Sequence, residues 1–293
     1  MAPLFLIFFR LMIAVFRASA PTYLRLLRRA ASGGFAFLFL LSASVATQSP
    51  SGSSSQSGQS NQQKARAFIN QMIQALGGSA YLNLQDSESE GRYGVFYHER
   101  SEGSDVFHRY WQWPDKERME LTKQRDIVQL TTGDQMYEIT FRGSRLINAD
   151  QDYNARIRLE RMHHSMEVIL RQWLNAPGTA LFDEGPTLSE NHSVEKITII
   201  NSKNDAVSIS IDMDSHLPVK KSFVIRDPQG YRDEIGEVYD NWKMIQGVNT
   251  PYNTLVSRNG ELTRQYFLSS ASYNVHLQSS LFEPGAKFDI KKK

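Results

Sequence analysis

Between Ala206 and Tyr273 apolar and polar side chains alternate with a period of two. Val207, Ile209, Ile211 and Met213 fall on one face, with Ser208, Ser210 and Asp212 on the other. Leu217, Val219, Phe223 and Ile225 keep that spacing, as do Tyr252, Thr254 and Val256, and then Leu262, Tyr266 and Leu268. Successive side chains of a strand point to opposite sides of its sheet, so the pattern predicts a run of half-buried strands. The connections carry turn chemistry: Asp227-Pro228-Gln229-Gly230, and Asn259-Gly260, the pair best suited to a two-residue type I′ hairpin. Turns this short make neighbouring strands antiparallel.

Upstream, the same reading predicts strands near Glu90–His98, Val106–Trp113, Glu117–Lys123, Ile127–Thr132 and Gln135–Arg142. Pro114 cannot donate to a ladder and marks a strand end. With six strands from Val194 to Tyr273 the total is about eleven, enough for one large antiparallel sheet to curl. Two stretches change period. Ala65, Phe68, Ile69, Met72, Ile73 and Leu76 follow helical spacing, and Gly77-Gly78 stops the helix, which is expected over Lys64–Leu76. Met162, Met166, Ile169, Leu170 and Trp173 form the stripe of a second, longer helix over 154–175, with Arg156, Arg158, Glu160, Arg161 and Arg171 on its other side. Methionine adapts to irregular partners, so this helix either caps an ordinary core or lids a cavity. The fold class is therefore mainly β, a curled sheet covered by an N-terminal helix and a mid-chain helix.

Composition narrows the function. The 293 residues are 41% apolar, enough for a core. The net charge is +2, but residues 1–46 hold five arginines and no acid, which leaves the remainder near −3. A weakly acidic body argues against nucleic acid as a partner. Without cysteine there is no disulfide, thiol nucleophile or thiolate metal site. Arg25 to Arg29, the apolar run Phe35 to Leu41 and the triplet Ser44-Val45-Ala46 read as an export signal cleaved before Thr47. The apolar run of 14 residues from Gly33 to Ala46 is short of the roughly 20 that span a bilayer. Residues 47–63, rich in Ser, Gln and Gly, read as a disordered linker. The expected organisation is a signal region over 1–46, that linker, and one β domain over 64–293, periplasmic or secreted.

Three further stretches stand out: Trp111-Gln112-Trp113-Pro114-Asp115-Lys116-Glu117-Arg118-Met119-Glu120, then Ile127-Val128-Gln129-Leu130 with Thr132-Gly133-Asp134-Gln135-Met136-Tyr137, and Ser280-Leu281-Phe282-Glu283-Pro284-Gly285-Ala286-Lys287-Phe288. Together they resemble the LolA-like family of periplasmic outer-membrane lipoprotein carriers. The resemblance implies an incompletely closed barrel of eleven strands whose cavity shields acyl chains. It also implies lipids or lipoproteins as partners, with inner- and outer-membrane proteins for transfer, and neither cofactor nor chemistry. The implied cavity and lid residues are Trp111, Trp113, Met119, Met162, Met166, Ile169, Leu170 and Trp173. Carriers of this family often place a cavity arginine just before the motif's proline. Here Trp113 stands there, which favours general lipid binding over triacylated lipoproteins, and Arg118 on the next strand is the candidate polar contact. A monomer is expected.

Other chemistries have weaker support in the sequence. Glu160, His163, His164 and Glu167 lie close together on one helix and could offer metal ligands, as in a hydrolase, but they match neither HExxH nor its inversion. Glu117, Glu120, Glu234 and Glu237 could pair across a sheet as in a glycosidase. Trp111 and Trp113 share a strand face with Phe107 and Arg109, which suits core packing, a sugar platform or a lipid-cavity wall. A sensor that binds a lipoprotein or protein partner would use the same cavity.

Overall fold

The computed structural model describes residues 53–227 and 229–285. The expected export signal and the C-terminal Lys291-Lys292-Lys293 lie outside the described residues.

Helix α1 (Ser53–Leu76) opens the domain, followed by the single turn α2 (Ser79–Leu82). Strands β1 (Asp86–Tyr97), β2 (Arg100–Gln112), β3 (Lys116–Leu121), β4 (Ile127–Thr132), β5 (Gln135–Thr140) and β6 (Gly143–Ile147) form the first block. Helices α3 (Tyr153–His163) and α4 (Met166–Arg171) interrupt it, with a 3-10 turn at Trp173–Asn175. The second block is β7 (Ala180–Ser189), β8 (His192–Ile200), β9 (Ala206–Asp212), β10 (Pro218–Arg226), β11 (Arg232–Ile245), β12 (Val248–Arg258) and β13 (Glu261–Tyr273). All thirteen strands belong to one sheet, in the order β6-β5-β4-β3-β2-β1-β13-β12-β11-β10-β9-β8-β7. Each block is a meander, and the β1–β13 pair joins the two, so the sheet is open with β6 and β7 as its edges. Asn259 (φ 53°) and Gly260 (φ 84°) turn the β12–β13 hairpin with the two positive φ values a type I′ turn requires.

Two strands beyond the expected eleven appear, and each was hidden by local chemistry. The expected strand over Gln135–Arg142 instead turns at Phe141-Arg142 and returns as β6. β7 contains Gly185-Pro186, which reads as a turn; it is tolerated because β7 is an edge and a bulge falls between Asp183 and Gly185. Met213, expected on the inward face, lies past the end of β9 and is 41% exposed.

The amphipathic stripe of α1 behaves as its spacing requires: Ala65, Ile69, Met72, Ile73 and Leu76 are buried. At its end Gly78 N–H donates to the Ile73 carbonyl (2.8 Å), and a Cβ on Gly77 would stand 2.4 Å from the Gly247 oxygen. The helix starts earlier than expected, at Ser53, so the latter part of the expected linker is helical. Tertiary contacts explain this. The Asn61 side chain donates to the Asp183 carbonyl (2.8 Å) and accepts from the Asp183 N–H (2.9 Å), satisfying edge groups of β7 that have no strand neighbour. Lys64 adds ion pairs to Asp183 (2.6 Å) and Glu195 (2.5 Å).

The single long helix expected over 154–175 is also corrected. It breaks at His164-Ser165, where the Ser165 hydroxyl caps α4 by accepting from the Val168 N–H (3.4 Å). His164 is buried at this break, its ring stacked 4.3 Å from that of Phe223.

Candidate functional site

Strand alternation and the curl of the sheet bring residues from both blocks to one cavity of about 260 Å³ beneath α3 and the start of α4. β2 contributes Phe107, Arg109 and Trp111 at alternate positions, and β3 contributes Glu117 and Met119 in register with them. The lining continues through Tyr266 of β13, its ring 5.7 Å from that of Phe107, to Glu237 and Tyr239 of β11 and Lys221 of β10. From above, α3 lowers Arg158, Arg161 and Met162, which share one helix face at i, i+3 and i+4, and α4 adds Met166.

Ion-paired groups stand among the apolar walls of this space. Glu237 is buried, with Arg161 Nε 2.7 Å from one oxygen, Lys221 Nζ 3.1 Å from the other, and the Tyr239 hydroxyl donating at 2.7 Å. Burial alone would raise its pKa; Lys221 and Arg161 outweigh burial and hold the carboxyl well below the usual range. Burial and then Glu237 push the Tyr239 phenol far up. Burial would likewise raise Tyr266, but the Arg161 and Arg264 guanidiniums draw it below its ordinary value. Lys221 also donates to the His164 carbonyl (2.6 Å), tying the charged wall to the break between α3 and α4. On the β2 and β3 side Arg109 Nε bonds Glu117 at 2.6 Å, while 45% of the Arg109 side-chain surface stays uncovered.

The expected ligand-contact residues divide. Trp111, Met119, Met162 and Met166 line the cavity. Ile169, Leu170 and Trp173 are buried in the main core instead, because the break before α4 turns that part of the stripe onto the sheet. Trp113 packs against the same core, its ring 6.3 Å from Trp111 and 3.5 Å below the Arg171 guanidinium. Arg118 is a correction. Its neighbours Glu117 and Met119 face the cavity, so Arg118 points through the sheet to the other side. There it meets Glu120 (2.7 Å) and the Leu281 carbonyl (3.2 Å), beside the small cluster Val128, Leu130, Ile139 and Phe282.

The sequence pattern does not mark Lys221, Glu237, Arg158 and Arg161 as cavity residues, and it places the two arginines on the outer side of their helix. A signal for the first two was present: Lys221 interrupts Val219 and Phe223, Glu237 interrupts Ile235 and Tyr239, and the interruptions are cross-strand partners.

The helix histidines diverge. His163 lies 3.3 Å from the exposed Asp134, whereas His164 is buried, its Nδ1 2.8 Å from the Glu160 carbonyl, and burial lowers its pKa. Among the described residues no three His, Asp or Glu side chains converge as a metal would need. Of the four scattered carboxylates, Glu117 and Glu237 face the cavity and both are ion-paired, while Glu120 lies on the other face and Glu234 is exposed.

No protein-family model matches the chain, and no curated protein matches it either. Among solved structures it is similar to a DUF1329 family protein from Desulfovibrio piger, at TM-score 0.55 and 13% identity over 75% of this chain and 97% of that one. It is also similar to a domain from Vibrio parahaemolyticus described provisionally as an outer membrane lipoprotein-sorting protein. That match has TM-score 0.53 and 11% identity over 76% of this chain and 97% of the domain. At these identities the likeness is one of fold: the chain resembles DUF1329 and outer membrane lipoprotein-sorting domains in architecture.

Proposed function

We propose that the protein is a non-catalytic periplasmic carrier that shelters the acyl part of a lipid or lipoprotein in the cavity beneath α3 and α4. The observation that carries the reading is the cavity itself, which has Phe107, Trp111, Met119, Met162 and Met166 on its walls. The fold shared with the lipoprotein-sorting domain supports the same class of ligand. Burying alkyl chain stabilises a complex by about 0.8 kcal/mol per CH₂, so a short length of chain gives useful affinity. At about 260 Å³ the space is just below the ~300–1,000 Å³ of ordinary ligand pockets, which favours one chain over a triacylated anchor.

Native mass spectrometry of the full chain secreted from a bacterial host, before and after organic extraction, tests this. The expected result is a mass excess that extraction releases as an acyl-bearing molecule. Met119→Trp, which fills the cavity, removes the excess. Leu170→Ala leaves it in place and instead lowers stability by about 2–5 kcal/mol. A chain that carries no extractable amphiphile overturns the carrier reading, and a protein-binding module is then examined by pull-down.

A further inference from the structure

Every cationic side chain on the cavity wall has an anionic partner except one. Arg109 is held by Glu117, and Arg161 and Lys221 share Glu237. Arg158 makes no ion pair among the described residues, and its Nε is buried with no hydrogen-bond partner. Burial and then the nearby Arg264 disfavour its positive charge more than Asp152, Tyr266 and Glu117 favour it, yet a guanidinium does not deprotonate in a protein. The lining as a whole is balanced, with Glu88, Glu117, Glu167 and Glu237 against Arg109, Arg158, Arg161 and Lys221, so the missing partner is local to Arg158. A guanidinium that meets no carboxylate, on the wall of a half-open cavity, is a receptor for a planar or tetrahedral oxyanion.

We infer that Arg158 is the head-group anchor of the cavity and that the ligand is an amphiphile with an anionic carboxylate or phosphate head. This rests on the proposed carrier reading. The head pairs with the Arg158 guanidinium, and the alkyl chain runs past Met162, one turn further along the same helix face, toward Met119 and Phe107. A ligand of equal chain length with a neutral head leaves the guanidinium unpaired. Charge-assisted pairing therefore discriminates by about tenfold or more.

The test is calorimetric titration of the delipidated full chain with palmitate, 1-palmitoyl lysophosphatidate and 1-monopalmitoylglycerol. At least one anionic ligand binds about tenfold or more tighter than the neutral one; palmitate leading assigns a carboxylate head, lysophosphatidate a phosphate head. Arg158→Gln abolishes the preference while keeping the neutral ligand's affinity. Arg158→Lys, read alongside it with thermal unfolding of both variants, retains part of the preference. Equal affinities in the native chain, or a preference that survives Arg158→Gln, overturn the anchor and leave the carrier reading standing. Binding of none of the three overturns both.

Discussion

The inward surface of the sheet has two halves built on the same alternation and filled by opposite chemistry. Over β8 and β9, where α1 and α4 press onto the sheet, Ile197, Ile199, Val207, Ile209 and Ile211 are completely buried. Over β2, β3 and β11, where α3 stands off, the inward positions hold Arg109, Glu117, Glu237 and Tyr239 among aromatic and methionine side chains. An empty apolar void of about 260 Å³ would cost about 6 kcal/mol at roughly 24 cal/mol per Å³. Ion-paired walls that water can hydrate lessen that cost and resist collapse. The difference teaches that in this fold contact with a covering helix selects aliphatic residues, and a gap beneath it is kept open by charge.

The comparison breaks most visibly with one substitution placed in each half. Ile209→Asp buries an unpaired carboxylate where no surface is exposed and removes at least about 5 kcal/mol, enough to empty the folded state of a marginal domain. Met119→Asp meets a half-open cavity with Arg109 as its cross-strand partner and costs less than about 2 kcal/mol. Urea unfolding of the two variants decides, and equal losses would end the distinction between the halves.

Glu237→Gln sharpens the account of the charged half. It strands Arg161 and Lys221 with no charged partner and costs about 3–5 kcal/mol. Because the folded pKa of Glu237 lies below its unfolded value, its contribution is complete above the ordinary carboxylate range. It fades as pH falls through the folded pKa. Thermal unfolding between pH 7 and pH 2 therefore shows a shallower acid decline for the variant than for the native chain. Parallel declines would place the acid sensitivity elsewhere.

An effect smaller than that of Glu237→Gln concerns the edge of the dry half. Asn61→Ala removes the two bonds between α1 and β7 and costs about 1–3 kcal/mol. Amide exchange over residues 53–63 should accelerate while the Ile197 and Ile209 amides stay protected. Unchanged exchange would mean that other contacts fix the start of α1.

By itself the sequence determined what repeats locally. The period of two specified the strands from Val194 to Tyr273, Asn259-Gly260 specified a hairpin, and the stripe from Ala65 to Leu76 specified a helix face. Those signals survive because backbone geometry fixes which neighbours share a side. A small part of the cavity wall was legible for the same reason: Trp111 and Met119 lie on inward faces their strands announce. Tertiary structure decided the remainder. Polar Ser53 to Gln63 becomes helical because β7 offers Asn61 and Lys64 partners more than a hundred positions away. The stripe from Met162 to Trp173 splits between cavity and core because Ser165 caps a new helix over Phe223 and Lys221. Arg158 and Arg161, polar by composition and outward by helical pattern, face inward because a cavity rather than solvent lies beneath α3. Which partner a side chain meets depends on folded distance, and a charge is stable inside only where another segment supplies its counter-charge.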